Sequence, residues 1–226
     1  MIVTIDGPAG AGKSSAARRL ARRLGFRFLD TGAMYRAVAL AGHRRHVVWG
    51  DAEELAAVAS ELSLELSDDR ILMNGEDVTQ AIRTLEITTL TQYAADNDAV
   101  RRRLIDLQRA FAQGRDVVTE GRDQATVVFP NAECKIFLTA GEEERARRRF
   151  QDLLARGEEV DFAEVLKKQR LRDQRDVDRV FGGLAKASDS IEVLTDGLAP
   201  EEVVDRLEQI VRAIQQRGDS PASPVT

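Results

Sequence analysis

Apolar and polar positions along this chain follow a repeating order. A short β-rich run at residues 2–5 ends on Asp6, a glycine-rich turn fills 7–12, and helical spacing takes over. Ala17, Leu20, Ala21 and Leu24 fall on one face of a helix expected over 13–24, with Gly25 placed to stop it. Residues 26–29 read as a second strand, and 117–119, 135–138 and 191–194 as further strands. Helical segments fill the intervals. The last begins at Pro200 and carries Val203, Val204, Leu207, Ile210, Val211 and Ile214 as one apolar stripe. Strand, glycine loop, helix, strand is the opening of an α/β fold built on a parallel sheet.

The rhythm breaks between 63 and 79. Leu64-Glu65-Leu66 and Arg70-Ile71-Leu72-Met73 look like a hairpin around Ser67-Asp68-Asp69, followed by a turn at Asn74-Gly75. A small β insertion in a βα chain is most simply a subdomain seated on the core. The stretch 218–226, with Pro221 and Pro224 among Ser and Ala, is expected to be a disordered tail.

Composition narrows the class. The 226 residues suit one compact domain with insertions, and 43% hydrophobic with 31% charged residues, mixed in sign, excludes wholesale disorder. No apolar run approaches the ~18 residues of a membrane span, and residues 1–6 lack the basic start and cleavage site of a signal peptide. Cys134 is the single cysteine, and His43 and His46 lie far from it, so neither a disulfide nor a metal cluster is expected. These features point to the cytoplasm. A net charge of −5 argues against a general nucleic-acid binder, and nothing marks an interface, so a monomer is expected. Trp49 is read as a packing residue, and Cys134 as a small buried hydrophobe.

The chemistry starts at Gly7-Pro8-Ala9-Gly10-Ala11-Gly12-Lys13-Ser14, which fits G-x-x-x-x-G-K-[ST]. Such a loop curls backbone N–H groups around phosphate oxygens at a helix N-terminus. Lys13 can reach the β- and γ-phosphates, and the Ser14 hydroxyl, followed by Ser15, can ligate Mg²⁺. Ligands of open α/β sheets bind beyond the carboxyl ends of strands. Residues 30–36 and 120–123 stand at two such ends, so Glu120 can organise magnesium-bound water while Arg36 and Arg122 grip a second phosphate. The chain carries 28 arginines against 5 lysines, a bias that suits planar phosphate contacts as well as genome composition. Residues 145–179 hold eleven basic and eight acidic side chains. There Arg145, Arg148 and Arg149 share one helix face, and Arg172, Arg175, Asp176 and Arg179 another, which reads as a solvated helix pair or as a lid closing over phosphates.

Together these segments resemble the bacterial cytidylate kinases, of the nucleoside monophosphate kinase superfamily. The resemblance runs from Ile2 to about Ile214. It rests on Thr4-Ile5-Asp6-Gly7-Pro8, the P-loop, Leu29-Asp30-Thr31-Gly32-Ala33-Met34-Tyr35-Arg36, Gly121-Arg122-Asp123 with Thr126-Val127-Val128-Phe129-Pro130, and residues 172–179. It implies a three-layer α/β P-loop kinase with a parallel five-stranded sheet. Core segments 1–36, 104–144 and 180–217 would carry an NMP-binding insertion at about 37–103 and a helical lid at about 145–179. It implies transfer of the γ-phosphoryl group of MgATP to CMP or dCMP. Thr31, Tyr35, Arg36, Arg122 and Arg179 would hold the acceptor phosphate; Thr91, Arg101 and Asp123 would read cytosine; Asp176 and Arg172 would contact the ribose. Arg148 and Arg175 join Lys13, Arg36, Arg122 and Arg179 as expected catalytic cations. Gln124, Ala125 and Gly183 depart from the family pattern. The nearest rivals are a kinase for UMP or shikimate, a GTPase switch (which lacks its Asn-Lys-x-Asp segment here) and a non-catalytic relative.

Overall fold

A computed structural model describes residues 1–67, 69–155 and 157–218. The tail expected from 218 onward lies, beyond Gly218, outside the described residues. Strands β1 (Ile2–Asp6), β2 (Arg27–Asp30), β6 (Val117–Gly121), β7 (Cys134–Thr139) and β8 (Ile191–Leu194) form one sheet in the order β2-β6-β1-β7-β8. Every pairing is parallel, with Thr4 opposite both Thr119 and Lys135. Helices cover both faces. Helices α1 (Lys13–Leu24) and α8 (Pro200–Gly218) bury Leu20, Ala17, Leu207 and Val204 against Ile5, Phe28 and Val118. On the other face lie α2 (Thr31–Arg44), α3 (Ala52–Glu61), α4 (Leu85–Ala95) and α5 (Asp98–Ala112), with Met34, Val38, Leu55 and Leu104 in the core. A parallel sheet needs such cover on both sides.

Local chemistry sets the boundaries. Gly25 ends α1 in the left-handed conformation, and Phe26 donates its N–H back to Ala21, so Phe26 is spent on the helix cap and β2 starts one residue later than the pattern suggests. Asp30 closes β2 and caps α2, its carboxylate accepting from the Ala33 N–H at 2.9 Å. The insertion has three strands, β3 (Leu64–Leu66), β4 (Ile71–Met73) and β5 (Glu76–Asp77), the last two joined across Asn74-Gly75 with both turn residues at positive φ. Helices α2 and α5 run through positions 36/37 and 103/104, so this part of the chain shares two helices with the core instead of hanging on linkers. Two long helices, α6 (Glu142–Ala155) and α7 (Phe162–Asp178), pack together between β7 and β8. Arg179 caps α7 in an extended conformation and so leaves the helix face that spacing assigned to it. Cys134 is 1% exposed, and burial pushes its thiol up to about 12, consistent with an inert core residue. Trp49 packs on Tyr93 at 5.3 Å.

Candidate active site

Because β1 is the central strand, the chain leaving it runs over the middle of the sheet's carboxyl edge. Gly7 makes the first turn at φ +149°, where a Cβ would strike the Leu138 carbonyl oxygen on the neighbouring strand. The loop then enters α1, and a cleft of about 1220 Å³ opens above it. Residues 9–16 line this cleft together with Thr31, Tyr35, Arg36, Thr91, Arg101, Glu120, Arg122, Asp123, Arg148, Arg172, Asp176 and Arg179. Gly7 and Pro8 sit behind it. Arg175, expected among the catalytic cations, lies outside: its guanidinium donates to the Gln92 amide oxygen on α4 at 2.6 Å, so it ties α7 to α4.

At the P-loop, Lys13 is 5% exposed and donates to the Pro8 carbonyl at 2.7 Å. Burial, with the Arg122 guanidinium nearby, lowers its ammonium to about 7. Anionic phosphates in this position would stabilise the charged form. Beside it the Ser14 hydroxyl donates to a Glu120 carboxylate oxygen at 2.7 Å. These are hard oxygen donors of the kind magnesium takes, so the pair fits that ion. Thr31 donates to the Glu120 carbonyl at 2.7 Å, which fastens the start of α2 to the end of β6.

The opposite end of the cleft is a chain of ion pairs. Arg122 Nε donates to Asp176 at 2.7 Å, and Arg179 reaches both Asp176 and Asp96. Arg101 and Asp123, 2% and 4% exposed, pair directly, and Arg101 also donates to the Ala95 and Gly182 carbonyls. Its Nε is buried with no partner, as is Nε of Arg36, whose Nη2 donates to Asp30 at 3.4 Å. Gly182, at φ +71°, lies so close over the pair that a Cβ would meet Arg101 Nη2 and Asp123 Oδ2. Thr91 spends its hydroxyl on the Ile87 carbonyl of its own helix at 2.7 Å while still facing the cleft. Arg148 is anchored by two bonds to Thr195, at 3.0 Å and 2.8 Å.

Two contributors carry no role in the sequence reading. Asp6, at the end of β1, accepts from the N–H groups of Gln124 and Ala125 at 2.9 Å and 2.7 Å. It therefore holds the π-helical turn Gln124–Val128 that follows Arg122 and Asp123, and the methyl of Ala125 is accommodated, 2% exposed. Gln124 is also satisfied, accepting from the Thr119 hydroxyl at 2.8 Å. Burial raises the Asp6 carboxyl to about 6, the two N–H bonds opposing the shift. Arg83 also lines the cleft, within 3.8 Å of Asp30. Among the described residues no helix is long and apolar enough to cross a membrane.

The chain is similar to known proteins over nearly its whole length. A cytidylate kinase from Rhodopirellula baltica is 50% identical over 228 residues, covering all of both chains. One from Geobacter sulfurreducens is 44% identical over 216 residues, covering 94% of this chain and 93% of its own. In fold, the chain is similar to a shikimate kinase from Bacteroides thetaiotaomicron, with a TM-score of 0.50 at 15% identity over 94% of this chain and 98% of that one. The sequence profile of cytidylate kinases matches residues 3–215, and the chain belongs to the cytidylate kinase family.

Proposed function

We propose that the protein transfers the γ-phosphoryl group of MgATP to a phosphate oxygen of CMP, giving CDP and ADP, with dCMP as a second acceptor. The observation that carries this reading is the buried Arg101–Asp123 pair with the unpartnered Arg101 Nε at the acceptor end of the cleft. Cytosine presents an amino donor at position 4 beside acceptors at N3 and O2, so a carboxylate next to a guanidinium matches it. Uracil reverses the pattern at N3 and position 4 and would leave buried groups unpaired. Asp176, paired with Arg122 and Arg179, would contact the ribose hydroxyls, with Arg172 one turn before it on α7.

An acceptor phosphate is already anionic, so no general base is required. Transfer depends on in-line positioning and on neutralising charge on the passing phosphoryl group. Lys13 and the P-loop N–H groups serve the donor phosphates. Arg36 and Arg122 serve the acceptor phosphate, and Arg148 and Arg172 approach from the α6–α7 side. Ser14, and through water Glu120, would hold magnesium, which would supply further charge neutralisation there. Helices α2–α4 with the small sheet form the acceptor side, and α6–α7 the lid that excludes water. A coupled ADP-release assay over CMP, dCMP, UMP, AMP and shikimate tests the assignment. The highest kcat/KM is expected for CMP, with dCMP next. A preference for any other acceptor would overturn the base-reading assignment.

A further inference from the structure

Arg145 and Asp173 make contacts that phosphate binding does not explain. Arg145 stands in the first turn of α6, 7% exposed, and is not among the residues that line the cleft. Its Nε donates to the Ala140 carbonyl at 2.9 Å, and its Nη1 donates to the Ala9 carbonyl at 2.9 Å and to Asp173 at 2.5 Å. The second oxygen of Asp173 accepts from the Ala9 N–H at 3.4 Å. Both polar groups of one P-loop residue are thus taken by a single ion pair that bridges α6 and α7. On α7, Asp173 follows Arg172 and precedes Asp176 by three residues, close to one turn, so the distance of both groups from the P-loop is fixed through this contact.

We propose that Arg145 and Asp173 are a positioning pair, locking α7 to the P-loop so that the γ-phosphoryl group passes to the acceptor and not to water. In either outcome an oxygen bonds to the γ-phosphorus as the bond to the β–γ bridging oxygen breaks and ADP leaves. With CMP the product is CDP; with water it is inorganic phosphate. Misplacing α7 separates Arg172 and Asp176 from the acceptor, whereas Ser14 keeps its bond to Glu120 at the end of β6. The choice of CMP as acceptor rests on the function proposed above.

The test is the ratio of CDP formation to inorganic phosphate release, a quantity independent of the folded fraction. Asp173→Asn keeps the shape and removes the charge. It is expected to lower the transfer kcat about 10–100-fold, the span for losing charge-assisted hydrogen bonds, and the ratio at least about 10-fold, with the KM for ATP within about three-fold. Asp173→Glu should recover part of the ratio. Arg145→Met combined with Asp173→Asn should lose little more than the worse single variant, as coupled partners do. An unchanged ratio in Asp173→Asn, or losses that simply multiply in the double variant, would overturn the inference. Wild-type turnover of CMP is the separate control on the acceptor assignment. Should another acceptor serve wild type better, the same ratio is read with that acceptor.

Discussion

Replacing Asp123 with alanine separates a base-reading carboxylate from one that only supports its neighbour. The side chain is 4% exposed and paired with Arg101, itself 2% exposed, so its removal leaves a guanidinium buried with only the Ala95 and Gly182 carbonyls. Breaking one partner out of a buried pair costs about 3–5 kcal/mol, and the two remaining acceptors place this case near 3. For a domain of this size that lowers the melting midpoint by about 6–12 °C. The effect on recognition is separate. If the carboxylate accepts from the cytosine amino group, its loss leaves that donor unpaired in a dry pocket, about 1–3 kcal/mol, and kcat/KM for CMP falls roughly 10–200-fold. UMP has no amino group there and should change far less. The assay is coupled ADP release with each acceptor below both melting midpoints, read as the CMP-to-UMP ratio so that the active fraction cancels. Asp123→Asn, which keeps an acceptor oxygen, should retain more selectivity than Asp123→Ala. Equal losses for CMP and UMP would refute the reasoning and leave Asp123 as a support for Arg101.

Lys13→Ala should reduce kcat by about 10²–10³-fold or more through loss of a transition-state charge contact, with unchanged circular dichroism; more than half of the wild-type kcat would defeat the P-loop assignment. Asp6 governs a pH dependence of known sign. Its carboxyl is raised from 3.8 to about 6, so between those values the folded protein holds the proton more tightly than the unfolded chain, and this group's contribution to stability is lost as pH rises through about 6. Denaturant titrations should therefore show the wild type gaining about 1 kcal/mol on Asp6→Asn between pH 7 and pH 5, while wild-type kcat/KM for CMP falls as the clamp on Gln124 and Ala125 loses its charge. Gly182→Ala places a methyl against Arg101 and Asp123 at positive φ, and should lower kcat/KM for CMP about 10-fold or more while the KM for ATP stays within about three-fold. An equal effect on both substrates would show that the loop position matters only for folding.

The sequence made local relations legible and left distant ones hidden. The P-loop, the α1 stop at Gly25 and the stripe of α8 are each set by neighbours within a few positions, so spacing sufficed. The Arg101–Asp123 pair joins α5 to the loop after β6, and the Asp6 clamp joins β1 to that loop; neither partner can be picked out before the sheet order is known. The α6 arginines do share a face, as their spacing suggested. Packing then divided them, turning Arg145 inward to the Ala9 main chain and Arg148 to Thr195. Arg175 shares the spacing of Arg172 but faces α4, because helical period cannot say which neighbour a flank will meet. Strand β5 carries no sequence pattern, because Glu76-Asp77 has no apolar residue and joins β4 by strand pairing.

The position of β1 in the middle of the sheet bears on how the chain leaves the ribosome. Its two partners begin at Val117 and Cys134, so the first strand to be made is among the last to be paired on both sides. At about 5–20 residues per second, β6 follows β1 by roughly 6–24 s. Throughout that interval Val3 and Ile5, fully buried in the finished protein, have no sheet to enter. The glycine-rich loop after β1 is thus anchored late, whereas α2, α3 and the hairpin strands can meet contacts made close together in the chain. A nascent chain stalled before Val117 would present an apolar strand and a glycine loop as a target for chaperones and proteases, and nucleotide could not rescue it until β6 arrives.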